Sequence, residues 1–140
     1  MATYKTFSVL ASSMNKKIDI AVQNSCNRLL GALQQLIDSE FYDVYEPELY
    51  HRTYQFWESA TTKMLKQSCG QIFMDKTKMN YNGFWTGEKQ LFEANLGSHG
   101  GWVTDESKEH RFWDAFIEYC EENALNILKE ELRKQGLKIK

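Results

Sequence analysis

"RFWDAFIEYCEENALNILKEELRKQGLKI", residues 111–139, places its apolar residues at steps of three and four. Phe112, Trp113, Phe116, Ile117, Cys120, Ala124, Ile127, Leu128 and Leu132 fall on one broad stripe, the period of an amphipathic helix lying on a core. Thr104, Asp105 or Ser107 is suited to cap its start, so the pattern predicts a helix over about 105–135. Lys129, Arg133 and Lys134 complement the negative end of the helix dipole. Gly136 stands where a left-handed C′ residue belongs, and Leu137 follows at C″, in reach of Leu132. Glu118, Glu121, Glu122, Glu130 and Glu131 read as a solvated face.

A first helix is predicted over about 15–40, where Ile18, Val22, Cys26, Leu29, Leu30, Leu33, Leu36 and Ile37 repeat at helical spacing. Ser13 or Asn15 would cap it, and Gly31 inside it costs about 1 kcal/mol relative to alanine unless another backbone packs there. Between the helices the period shortens. "WESATTKMLKQ" and "QIFMDKTKM" flank Ser68, Cys69 and Gly70, which predicts a β-hairpin over about 57–79 with one wet face. Residues 80–103 form a long loop holding five of the eight glycines. The expected architecture is α+β: one domain over residues 1–140, with two amphipathic helices packed on a small antiparallel sheet.

Composition narrows the function classes. A chain of 140 residues buries about two-thirds of its unfolded surface and needs no staples. Its 17 Lys and Arg against 19 Asp and Glu argue against a polybasic nucleic-acid binder. Cys26, Cys69 and Cys120 are odd in number and far apart, which suggests neither a disulfide framework nor a zinc ribbon. Cys26 and Cys120 read as small buried hydrophobes on helix faces. "MATYKTFSVL" has no signal-peptide pattern and no stretch approaches a membrane span, so a soluble protein in a reducing cytoplasm is expected.

Chemistry-bearing motifs are scarce. His99 and His110 flank Asp105, Glu106 and Glu109, but no HExxH or paired-cysteine spacing makes a metal site of them. No GxSxG, Walker lysine or GxGxxG occurs. No catalytic residue, cofactor or metal is therefore expected. The unusual stretch is "FYDVYEPELYHRTYQFW", residues 41–57, with four tyrosines, two phenylalanines, a tryptophan and the single proline of the chain. A platform for single strands needs cations among its rings, yet His51 and Arg52 face Asp43, Glu46 and Glu48. Tyrosine, tryptophan and arginine are typical binding hot spots, so Tyr42, Tyr45, Tyr50, Arg52, Tyr54 and Trp57 become interface candidates. Core packing, with Pro47 holding an extended chain, is the competing reading of the same rings. Phe84, Trp85 and Trp102 in the long loop are further interface candidates.

The string Tyr42–x–x–Tyr45–x–Pro47–x–x–Tyr50–x–Arg52–Thr53 resembles a signature of small morphogenesis proteins of tailed bacteriophages, the head–tail connector, neck and tail-completion proteins. The order of helix, aromatic segment, hairpin, glycine-containing loop and closing helix is similar along nearly the whole chain. The resemblance implies a structural virion protein with no enzymatic activity. It also implies a homo-oligomeric ring, six- or twelve-fold, that contacts adjacent neck, portal or tail proteins. Its expected location is the virion neck or tail, and the host cytoplasm during assembly. A ring subunit needs two different patches, one met by the hairpin and aromatic segment and the other by the long loop. No specific nucleic acid and no membrane are expected as partners. The alternatives are a soluble phage-encoded module that binds a host protein, and a small hydrolase using His99 or His110.

Overall fold

The computed structural model describes residues 6–39, 55–79, 91 and 112–140. Helix α1 runs Phe7–Ile37, a short α2 covers Gln55–Glu58, strands β1 (Ala60–Lys66) and β2 (Cys69–Met74) form a hairpin, and α3 spans Phe112–Lys134. A 3-10 turn at Lys76–Lys78 follows β2. The α+β architecture read from the sequence is present, with both long helices and the hairpin in their expected order. The 80–103 loop lies outside the described residues.

α1 begins about two turns before the predicted boundary. Thr6 is the cap: its backbone is extended, its Oγ1 accepts from Val9 N at 3.2 Å, and its carbonyl accepts from Leu10 N at 3.1 Å. Ser13 and Asn15 therefore sit inside the helix. Phe7, Leu10, Ala11 and Met14 carry the apolar stripe of Ile18 and Val22 back toward the N-terminus.

The buried residues of α1 are Ala21, Ser25, Leu29, Leu33 and Ile37, each four positions after the last. A four-residue step overshoots a helical turn by about 40°, so the row winds around the helix. One neighbour cannot cover such a row along its length. α1 is accordingly packed by α3 and by both strands. Ser25 is tolerated in this row because its Oγ donates to Ala21 O at 2.7 Å.

The hairpin pairs Ala60 with Met74, Thr62 with Ile72 and Met64 with Gly70 on the face toward the helices. Thr61 and Phe73 pair on the outer face, as do Lys63 and Gln71, and Lys63 Nζ lies 5.2 Å from the Phe73 ring centroid. The register slips by one residue between Met64 and Lys66, leaving Leu65 exposed in a bulge. The turn is shorter than predicted, because Cys69 and Gly70 belong to β2. Among the described residues other than glycine, Ser68 alone takes a positive φ, 59°. Its N–H is held by Asp19 Oδ1 of α1 at 2.6 Å, which ties the hairpin tip to the helix.

Gly70 has a packing reason and not a turn reason. A Cβ there would lie 2.5 Å from Cys26 Sγ and 3.4 Å from Val22 and Met64 atoms, so only glycine lets β2 approach α1 this closely. At the other end of the hairpin, buried Ser59 joins strand to helix. Its N–H reaches Gln55 O at 2.9 Å, its Oγ donates to Phe56 O at 2.6 Å, and its carbonyl accepts from Asp75 N at 2.7 Å.

The core gathers Leu29, Leu33 and Ile37 with Phe56, Ala60, Met79, Phe112, Phe116 and Ile127, and Leu91 packs against it. Phe56 and Phe112 meet edge to face, with centroids 5.2 Å apart. α3 ends as predicted. Gly136 has φ 82°, Gly136 N–H donates to Arg133 O at 2.9 Å, and Leu137 N–H donates to Leu132 O at 3.2 Å, the paired bonds of a Schellman motif. The residues expected to cap its start lie outside the described residues. Among the described residues, no helix is long and apolar enough to cross a membrane.

Two predicted features of α3 are corrected. Ile117 is 43% exposed, since the covered stripe runs through Phe112, Phe116, Cys120, Ala124 and Ile127, and Ile117 lies about 100° away from Phe116. Glu131 is buried and not solvated, because it occupies the next position of that same stripe after Ile127. Cys26 and Cys120 are half-buried, less enclosed than the sequence suggested.

Candidate functional site

Of the interface candidates, only Trp57 falls within the described residues. It sits on α2, half-buried and packed against the core cluster, so part of its ring serves the interior. Tyr42, Tyr45, Tyr50, Arg52, Tyr54, Phe84, Trp85 and Trp102 lie outside the described residues, as do His51, His99 and His110.

The most developed polar constellation is one the sequence reading missed. α1 and α3 run antiparallel, which brings Arg28 to the last turns of α3. Arg28 Nη1 donates to Glu130 Oε2 at 2.9 Å and to Glu131 Oε1 at 3.1 Å. Lys134 Nζ, one turn along α3, donates to the same Glu131 oxygen at 2.8 Å. Glu131 is the enclosed member, with 4% of its side chain exposed against 40% for Arg28. Two cations on one buried carboxylate oxygen hold it ionised. The hydrogen bond from Lys134 is the largest cause and that from Arg28 adds to it; together they outweigh burial and set the carboxyl below the ordinary glutamate range. Arg28 is correspondingly pushed up, by Glu130 first and then Glu131. A carboxylate so fixed is a clamp and a poor proton donor at neutral pH. Only part of the signal is local: a glutamate stands at a stripe position, four residues after Ile127, while its partner Arg28 lies 103 positions earlier.

Beside this cluster, α1 and α3 border a polar groove of about 510 Å³. Gly31, Ala32 and Gln35 form one wall; Tyr119, Asn123 and Asn126 form the other. Asn123 Nδ2 is engaged by Tyr119 O at 3.0 Å. Around the far side of the helix pair lies an apolar groove of about 440 Å³, bordered by Met14, Ile18 and Val22 of α1 and by Leu128, Leu132, Leu137 and Ile139. Arg133 Nε donates to Ile139 O at 3.2 Å and folds the tail along this groove.

Two further titratable groups are set by their surroundings. Burial raises the Cys120 thiol, which lowers its thiolate fraction. Asp75 Oδ1 is committed to Thr77 N and Oγ1, at 3.0 and 2.6 Å, which lowers its carboxyl and caps the 3-10 turn. Among the described residues no group of three or more His, Cys, Asp or Glu side chains is placed to hold a metal ion. None of their buried side-chain nitrogens or oxygens lacks a partner.

No curated protein and no solved structure gives a significant match to the chain. The family model of YomN matches residues 6–136, from the Thr6 cap of α1 to the Gly136 cap of α3. The two caps that bound the helix pair are therefore also the bounds of the match, and the chain belongs to the phage-associated YomN family.

Proposed function

We propose that this chain is a structural protein of the phage particle, a head–tail connector or tail-completion component that joins head to tail. Membership of a phage-associated family carries the reading. The Tyr42–Thr53 string and the order of elements supply the specific assignment. The described surface suits an adaptor. Phe7, Met14, Leu65, Ile117 and Leu125 leave large apolar groups exposed on several sides of a small, clamped helix-and-hairpin body. Scattered apolar contacts over a fixed frame are what a subunit with several protein neighbours needs.

In this reading the protein is not an enzyme and needs no cofactor. It forms a homo-oligomeric ring of six or twelve subunits between adjacent neck, portal or tail proteins. It resides in the virion, after assembly in the host cytoplasm. DNA inside the ring would meet a wall of net charge −2, with weak and non-specific contact only. The alternative is a soluble phage-encoded module that binds a host protein, for which the polar groove beside Arg28 offers a site.

Negative-stain imaging of the purified protein, alone and with neighbouring virion proteins, separates the two. Rings, or addition to tail-less heads, are expected. A chain that is absent from purified particles and is recovered with a host protein would overturn the connector reading.

A further inference from the structure

We infer that copies of this chain join head to tail, the outer face of one hairpin against the outer face of the next copy's α3. The inference deepens the connector reading and rests on it for the ring, since it names the contact between neighbouring subunits.

The chain is near neutral as a whole, but its elements are not. Ala60–Lys78 holds Lys63, Lys66, Lys76 and Lys78 against the single carboxylate of Asp75, with Glu58 just before it. Residues 112–128 hold Asp114, Glu118, Glu121 and Glu122 and no lysine or arginine. Lys63 lies over the Phe73 ring, and Lys78 Nζ donates to Thr61 Oγ1 at 2.9 Å, so both ammonium groups sit on the hairpin's outer face. Lys66 is exposed at the tip, and Asp75 is already committed to Thr77. On α3, Glu118, Glu121 and Glu122 lie away from the covered stripe, between Ile117, 43% exposed, and Leu125, 63% exposed. Lys63, Lys66, Lys78, Glu118, Glu121 and Glu122 enter no ion pair with a described residue.

The occupant follows from sign and placement. α3 and the strands both pack on α1, so the two outer faces look to different sides of the molecule and cannot neutralise each other within one copy. A second copy presents the opposite sign to each. One neighbour cannot reach both sides at once, so the contact is heterologous, and every added copy leaves a hairpin at one end and an α3 at the other. Such a series closes as a ring or grows as a filament. Both faces carry apolar groups among their charges, Leu65 and Phe73 on the hairpin and Ile117 and Leu125 on α3. These supply area to bury, while the charges fix orientation.

Sedimentation velocity of the intact chain at about 50 mM and about 500 mM salt tests this. The wild type is expected to assemble beyond a monomer at low salt and to come apart at high salt, where screening shortens the reach of each charge to about 4 Å. A hairpin variant, Lys63→Glu with Lys66→Glu, and a helix variant, Glu118→Lys with Glu121→Lys, each set like charges face to face. Each should assemble at least about ten-fold more weakly, with an unchanged circular dichroism spectrum. Mixed in equal amounts, the two variants present complementary faces again and should assemble in alternation, which a loss of folding would not allow. A wild type that stays monomeric at low salt, assembly indifferent to both variants, or a mixture no better than its parts would overturn the proposal. Rings that survive both reversals would refute this contact and leave the connector reading standing. Assembly that recovers on mixing, in a protein absent from purified particles, would keep the contact and overturn the connector reading. Duplex DNA binding that is lost with Lys63 and Lys66 while assembly is unchanged would assign the basic face to nucleic acid and refute the contact.

Discussion

The two halves of α1 obey the same helical period and live in different surroundings. From Phe7 to Ile20 no residue is buried; from Ala21 to Ile37 every fourth one is. Asp19, bonded to the hairpin tip at Ser68, marks the border. The first half is helical through its Thr6 cap and its continuity with the second. The second is helical because its winding row of side chains is held by α3 and the strands. An isolated helix of two or three turns is marginal in water, so the first half borrows its order from the second.

Leu33→Ala should mark the difference most strongly. Leu33 is fully enclosed, so truncation should remove about 2–5 kcal/mol, whereas Val9→Ala should stay within about 0.5 kcal/mol. Urea denaturation of both variants measures the contrast, and equal losses would erase the border.

Next in size is the ionic clamp, which acts on the second half alone. Glu131→Gln should lose about 1–2 kcal/mol at pH 7. The folded-state carboxyl is held below its ordinary value of 4.5, so its stabilisation is complete above that pH and is lost as pH falls through the lowered value. Melting temperatures followed into acid should fall less steeply for the glutamine variant. An acid limb identical to the wild type would remove Glu131 from the clamp.

Gly70→Ala should cost about 1 kcal/mol or more, since the added methyl meets Cys26 Sγ and the strand must move off α1. Cys26→Ala should recover most of that loss in a double-mutant cycle. Additive losses would mean that the two positions do not touch. The smallest effect belongs to the border. Ser68→Gly relieves a left-handed serine while keeping the N–H that Asp19 holds, and should stabilise by a few tenths of a kcal/mol up to about 1. A destabilised glycine variant would show that the serine side chain matters there.

What could be read in advance was what is local. Gly136 and Leu137 announced the end of α3 because a Schellman motif is completed within six residues. The hairpin was visible for the same reason, in two short strands around a turn. The start of α1 was hidden by Ser13 and Asn15, whose cap-like chemistry looked like a beginning once Thr6 was overlooked. Ile117, Glu131 and Gly70 depended on partners far along the chain. A stripe read from one helix has no way to say where its neighbour's edge falls, so Ile117 looked covered. Glu131 looked solvated because Arg28, 103 positions earlier, was not yet opposite it. Of the interface candidates, only the half-buried Trp57 can be placed against the core.

That separation has a consequence for synthesis. The α1–hairpin contact closes over 49 residues, Asp19 to Ser68, but the α1–α3 clamp closes over 102, Arg28 to Glu130. At about 5–20 residues per second, translation needs roughly 5–20 s to bring Glu130 out after Arg28. Over most of that interval Leu29, Leu33 and Ile37 wait for Phe112, Phe116 and Ile127, at first without the hairpin and then half-covered by it. The nascent chain is then a natural client for a hydrophobe-binding chaperone, and crowding on a polysome is where it is most prone to stick to its siblings.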